Sequence, residues 1–186
     1  QFNVSIPLIQ PEFSSLGFGI GNSESISLLL ALRNAGIGTC NIAEVNGILP
    51  PECKAIRRVK GLAELKPGQV IHGVLAAMSD HEPNRLVSAA IGWAWTPDRI
   101  QHGYISKYLS AGQTGKKAGD CAEDSAATML ASTLGIKFNP ETAWQAREEI
   151  YKAAGQNIRT SRVFRSQKCD KNGLWTTVVA AAVFMS

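Results

Sequence analysis

The sequence lacks most of the signatures that would name a chemistry at once. Its four cysteines (Cys40, Cys53, Cys121 and Cys169) form no C-x-x-C pair and stand at no zinc-finger spacing with the three histidines. No metal site is expected, and reduced thiols of a cytoplasmic protein are the first reading, with disulfides the alternative. The stretch Gly19–Ser25 is glycine-rich, but no G-K-[ST] follows it and the G-x-G-x-x-G spacing is absent, so it is no phosphate loop. No run of about 18 apolar residues occurs and no basic-then-apolar leader opens the chain, so no membrane partner is expected. Charge is also scarce: 18% of residues are charged and the net charge is +4. The densest basic strip, Arg159, Arg162, Arg165, Lys168 and Lys171, reads as a solvated strand face, and no nucleic-acid partner is expected. No repeat, linker or low-complexity segment divides the chain. What remains is 186 residues, 45% hydrophobic, read as one domain over residues 1–186 with a sizeable core.

The chain is organised around Asn34–Pro51, which reads NAGIGTCNIAEVNGILPP. A leucine-rich helix, capped by Ser23 or Ser25, stops at Gly36, which suits a left-handed helix end. Thr39–Val45 reads as a strand, Asn46-Gly47 as a tight turn, and Pro50-Pro51 as a stiff exit. Upstream, Phe2–Ile9 and Phe13–Ile20 are strand candidates. Downstream, Ala55–Val59 reads as a strand, and Val70–Ser79 and Leu86–Trp95 as a long apolar hairpin joined by Asp80–Arg85. A strand at Gly103–Leu109 precedes an alanine-rich helix over Lys116–Leu134. Asn139-Pro140-Glu141 opens a further helix to about Ala154. Asn157–Gln167 and Leu174–Met185 are the closing strands. This order predicts an α+β fold with mostly antiparallel sheets.

AGIG, a strand, a two-residue junction and then I-L-P-P-E resembles the pyruvoyl-dependent arginine decarboxylases. The resemblance continues through the apolar strands, the G-x-I-x-x-Y strand at Gly103–Tyr108, the alanine-rich helix and the closing A-A-A strand, with an insertion around Phe138–Ala154. It implies a four-layer α/β/β/α sandwich and a homotrimer or higher homo-oligomer with small-molecule sites between subunits. It also implies a pyruvoyl group made by self-cleavage before a serine, which then holds the substrate amine as a Schiff base.

Residue by residue, the resemblance keeps Asn41, the asparagine just ahead of the junction. The family's serine falls on Gly47, preceded by Asn46; its catalytic glutamate falls on Lys107; and its substrate-binding aspartate falls on Leu29. Glycine has no hydroxyl, so no pyruvoyl is expected at Gly47 and the expected cofactor is none. The leading expectation is a lyase-like enzyme acting on an amine, amino acid or carbonyl compound without pyruvoyl, by imine-based condensation or decarboxylation. An inactive binding or scaffolding relative is a second reading. A true agmatine-forming arginine decarboxylase with a shifted processing site is a third.

Lys107 sits between Ile105 and Leu109 on one strand face, where desolvation would favour a nucleophilic amine; a stem along apolar surface with its head in water is the plainer reading. Lys107 and Asn41 are the catalytic candidates, and Asn46, Gly47, Leu29, His102 and Trp93 the substrate-binding ones. Trp93 alternates with Ile91 and Trp95 onto one face, as core or as an aromatic wall. His72, between Val70 and Val74, reads as a packed core histidine.

Overall fold

A computed structural model describes residues 11–135 and 158–185. The predicted strand at Phe2–Ile9 and helix at Asn139–Ala154 lie outside the described residues. Among the described residues, eight strands form two four-stranded sheets. The first sheet contains β1 (Glu12–Gly21), β8 (Trp175–Phe184), β4 (Val70–Asp80) and β2 (Asn41–Glu44), in that order. The second contains β3 (Ile48–Leu49), β6 (Gly103–Ala111), β5 (Leu86–Trp95) and β7 (Arg159–Lys168). Every pairing is antiparallel except β2 with β4. Helices α1 (Glu24–Ala35) and α2 (Arg58–Glu64) cover the first sheet, and α3 (Gly115–Thr133) covers the second. The expected four-layer α/β/β/α sandwich is therefore the architecture observed.

Strand alternation sorts the side chains into three apolar layers. Val74, Ala76, Val87, Ile91, Trp93, Ile105, Val178 and Phe184 meet between the sheets. Phe13, Ala31, Ala35, Val179 and Val183 fill the space under α1. Ala94, Ala126 and Leu130 do the same under α3. A buried Val, Ile or Phe contributes roughly 1.5–3 kcal/mol, so the two-sided burial of β5 and β8 dominates stability. Helix α1 starts where Ser23 Oγ accepts from Ile26 N–H at 3.2 Å and ends at Gly36 with φ 84°. It lies close on β1 because the alternating glycines of that strand face it: a Cβ at Gly17 would sit 2.3 Å from the Ala31 carbonyl, and one at Gly19 would sit 2.4 Å from that of Ser27. Helix α3 is tied to β7 by Arg162, which bonds Asp120 at 2.9 Å and also Glu123.

Three local expectations are corrected. Val70–Ser79 and Leu86–Trp95 are strands but not a hairpin, because β4 and β5 belong to different sheets and Asp80–Arg85 carries the chain between layers. Asn46-Gly47 likewise joins β2 of one sheet to β3 of the other, with Gly47 at φ 80°. Ala55–Val59 is no strand: only Ala55 bridges to Glu12, and the chain then turns into α2 so that Ile56, Leu62 and Leu65 pack under α1. Apolar alternation reports which face of a strand is buried, but not which sheet it joins.

Candidate functional site

The crossover from β2 to β3 opens a cleft at one edge of the sandwich. Strand β2 ends its sheet, and β3 is so short that it pairs only with Tyr104 and Gly103 of β6. Beyond Ile105, whose N–H donates to the Gly47 carbonyl at 2.7 Å, this edge of β6 pairs with no strand among the described residues. The resulting cleft, of about 400 Å³, is lined by Glu44, Val45, Asn46, Val74, Ile105, Ser106, Lys107 and Met129. That volume accommodates an amino acid. Its charged groups among the described residues are one pair: Lys107 Nζ donates to Glu44 Oε2 at 2.9 Å and to the Leu75 carbonyl at 3.2 Å. Lys107 thus bridges the two sheets. The desolvated alternative is not found, and the head of the side chain reaches water as in the plainer reading, since its side chain is 47% exposed and its partner's 54%. Water competes with the pair, and the ammonium is committed to oxygens rather than to apolar surface.

Of the sequence-predicted residues, Asn46 and Lys107 line this cleft, whereas Gly47 lies beside it in the crossover, its carbonyl accepting from Ile105 N–H, and is not part of the lining. Asn41 lies at the start of β2 with its side-chain amide on the Gly68 carbonyl at 3.0 Å, so it braces the strand that carries Glu44. Leu29 is exposed on α1, outside the cleft wall. His102 lies against Tyr104 (Nε2 to Oη, 3.3 Å), and Tyr104 in turn bonds Thr133 at 2.7 Å, which ties β6 to α3. Trp93 is buried between the sheets and does not face the cleft. His72 is exposed at the start of β4 instead of packed in the core. Sequence reasoning missed Glu44, because β2 and β6 are far apart in the chain. An acid three residues before a predicted glycine turn was the only available signal.

It also missed a second polar site. Glu12 is 7% exposed and accepts a hydrogen bond from Trp93 Nε1 at 2.9 Å. Burial pushes its carboxyl up to about 7, against the lowering influence of the Trp93 bond and of nearby Arg99. The same burial, with Glu12 beside it, pushes the Cys53 thiol up to about 12, so Cys53 is no reactive thiolate. No disulfide links the four cysteines.

Comparison with known proteins gives one family. A profile described as pyruvoyl-dependent arginine decarboxylase matches residues 13–186. The pyruvoyl-dependent arginine decarboxylase 2 of Methanosarcina acetivorans is 48% identical over 174 residues, 94% of this chain and 95% of its own length. A probable pyruvoyl-dependent arginine decarboxylase of Chloroherpeton thalassium is 46% identical, over 93% of this chain and 95% of its own length. The pyruvoyl-dependent arginine decarboxylase of Nitrosopumilus maritimus is 40% identical, over 93% of this chain and 94% of its own length. These findings overturn the expectation of no cofactor, because the family and all three relatives are pyruvoyl-dependent by name.

Residue 47 itself does not fit as the origin of that group. Gly47 carries no hydroxyl, its φ is 80°, and a Cβ there would lie 2.2 Å from the Ile105 carbonyl oxygen. A side chain would therefore force the crossover apart, and residue 47 offers no nucleophile for self-cleavage. With the architecture and the near full-length identities together, the chain belongs to the pyruvoyl-dependent arginine decarboxylase family.

Proposed function

We propose that this chain is an agmatine-forming arginine decarboxylase whose pyruvoyl group arises from a residue other than Gly47. The observation that carries the reading is 48% identity over 94% of the chain to a protein named for that activity. The group, when present, supplies a ketone that holds the substrate amine and withdraws electrons as carbon dioxide leaves. The chain's own residues bind and orient. Glu44 is the carboxylate that receives the guanidinium, for which a planar, bidentate match is favourable. Lys107 holds Glu44 in place across the sheet edges and balances its charge until substrate arrives. Asn46 offers an amide at the rim and Met129 an adaptable apolar wall. Asn41 positions β2 through Gly68. The cleft lies at two open sheet edges, which suits completion by a neighbouring subunit in a homotrimer; Leu29 and His102 would reach substrate only in such an assembly. A cytoplasmic location suits four cysteines without a disulfide.

The test is agmatine and carbon dioxide release from labelled arginine, run beside the intact mass of the purified protein. The expected result is arginine-dependent product and two fragments, with a borohydride-reducible ketone at the new amino terminus. The fragment masses locate the residue that supplies the ketone. A single full-length mass without agmatine formation would overturn the proposal.

A further inference from the structure

A second cavity, of about 130 Å³, lies among residues of β1, β3, β5 and β7. Its polar wall is Glu12 and Arg99, and its aromatic wall is Trp93 and Trp95. Glu12 Oε2 is engaged by the Trp93 indole, but no other hydrogen bond reaches the carboxylate among the described residues, and its second oxygen is not sealed in. That oxygen belongs to a side chain more than nine-tenths buried, on a residue lining the cavity. Arg99 lies over the Trp95 ring at 4.9 Å and spends Nη1 on the Cys53 carbonyl. Its Nε and Nη2 make no hydrogen bond among the described residues. A buried acid and a guanidinium, each with unspent bonding capacity, thus face one small space between two indoles.

We propose that this cavity is a second ligand site, for a small zwitterionic α-amino acid. The ligand's ammonium meets the second oxygen of Glu12, its carboxylate meets the free edge of Arg99, and its aliphatic part lies against Trp93 and Trp95. Charge selects the class. A ligand with only an amine faces the repulsion of Arg99, and one with only a carboxylate faces that of Glu12. A zwitterion satisfies both, giving the buried Glu12 and the partly buried Arg99 each a counter-charge. Volume selects the size, since about 130 Å³ holds a short aliphatic amino acid. The site shares no lining residue with the cleft, although Trp93 pairs directly with Ile105, which does line the cleft, across β5 and β6. Occupancy is thereby one strand pair removed from the reactive edge.

The experiment is calorimetric titration of the full chain at pH 7.5, above the value of about 7 to which the Glu12 carboxyl is raised, with alanine and valine, beside alaninamide and propionate as single-charge controls. The zwitterions are expected to bind, and each control to bind at least tenfold more weakly. Glu12→Gln and Arg99→Gln are each expected to weaken the zwitterions at least tenfold, whereas Lys107→Ala, on the other site, leaves their affinity unchanged. Should Glu12→Gln fail to fold, Arg99→Lys, which keeps the charge but loses the planar fork, carries the same expectation. Absence of binding, equal binding of the controls, or binding lost in Lys107→Ala but kept in Glu12→Gln would overturn the proposal. None of these outcomes depends on arginine decarboxylation.

Discussion

Lys107 and Glu44 meet at 2.9 Å across the edges of two different sheets, although 63 positions separate them in sequence. The pair is half-exposed on both sides, so it contributes only about 0.2–1 kcal/mol to stability. Its value is position: it fixes a carboxylate in the wall of a cleft large enough for an amino acid. Glu44→Gln is therefore expected to raise the KM for arginine at least tenfold with little change in unfolding midpoint. Lys107→Ala is expected to act in the same direction through the loosened carboxylate. The exchanged double variant, Glu44→Lys with Lys107→Glu, should recover the stability of the pair but not the affinity, since the carboxylate then projects from β6. Steady-state kinetics and denaturant titration on the same preparations decide between position and stability.

Placing a side chain at residue 47 is expected to cost stability. A Cβ there lies 2.2 Å from the Ile105 carbonyl oxygen, and the backbone is left-handed at φ 80°. Gly47→Ala combines a left-handed non-glycine residue with a backbone clash, together on the order of 2–4 kcal/mol. Gly47→Ser meets the same obstacle, so it should lower the unfolding midpoint before any gain of chemistry is scored. Denaturant unfolding of both variants against the parent checks this; an unchanged midpoint would show that the crossover yields freely.

What the sequence disclosed and what it withheld divide along the range of the forces involved. Strand limits at β1, β4, β5, β6 and β8, and both ends of α1, follow from alternation, caps and glycine stops acting within a few residues. Sheet membership depends on partners dozens of residues away, so Val70–Ser79 and Leu86–Trp95 read as one hairpin. The same limit hides Glu44 from Lys107 and Glu12 from Trp93, two pairs made only by tertiary assembly. The sequence marks Lys107 as a cleft residue, but its apolar neighbours give the wrong environment: Ile105 is buried, while Lys107 two residues on has reached the open edge. Gly17 and Gly19 belong to the same class, since their purpose appears only when α1 is laid on them.

That close approach makes the β1 glycines stringent. Gly19→Ala would place a methyl group 2.4 Å from the Ser27 carbonyl and 2.5 Å from the Ala31 nitrogen, both helix backbone. No rotamer relieves a Cβ, so α1 must lift from the sheet and uncover Phe13, Ala31 and Val179. The expected cost is about 2–4 kcal/mol. The exposed Gly68→Ala change meets no neighbouring atom and is strained only through its φ of 81°, so it should cost about 1 kcal/mol. A comparison of the two midpoints separates helix seating from backbone strain.

Glu12 predicts a stability that falls with pH. Its carboxyl is raised from 4.5 to about 7 in the folded protein, chiefly by burial. The native state therefore holds a proton between those values that the unfolded chain has released, and stability declines as pH rises through this window. The contribution is fully present below pH 4.5 and lost as pH passes about 7. Its span is on the order of 3 kcal/mol, taking about 1.4 kcal/mol for each pH unit. The groups around it do not reverse the sign: Trp93 does not titrate, Arg99 acts on Glu12 only by lowering it against the larger effect of burial, and Cys53 is raised to about 12, beyond the window. Glu12→Gln keeps an acceptor for the Trp93 indole and removes the proton equilibrium. Denaturant unfolding of parent and variant at pH 5, 6, 7 and 8 should show the parent losing stability across the series relative to Glu12→Gln. Parallel curves for the two proteins would mean that Glu12 ionises in the folded state as readily as in the unfolded chain.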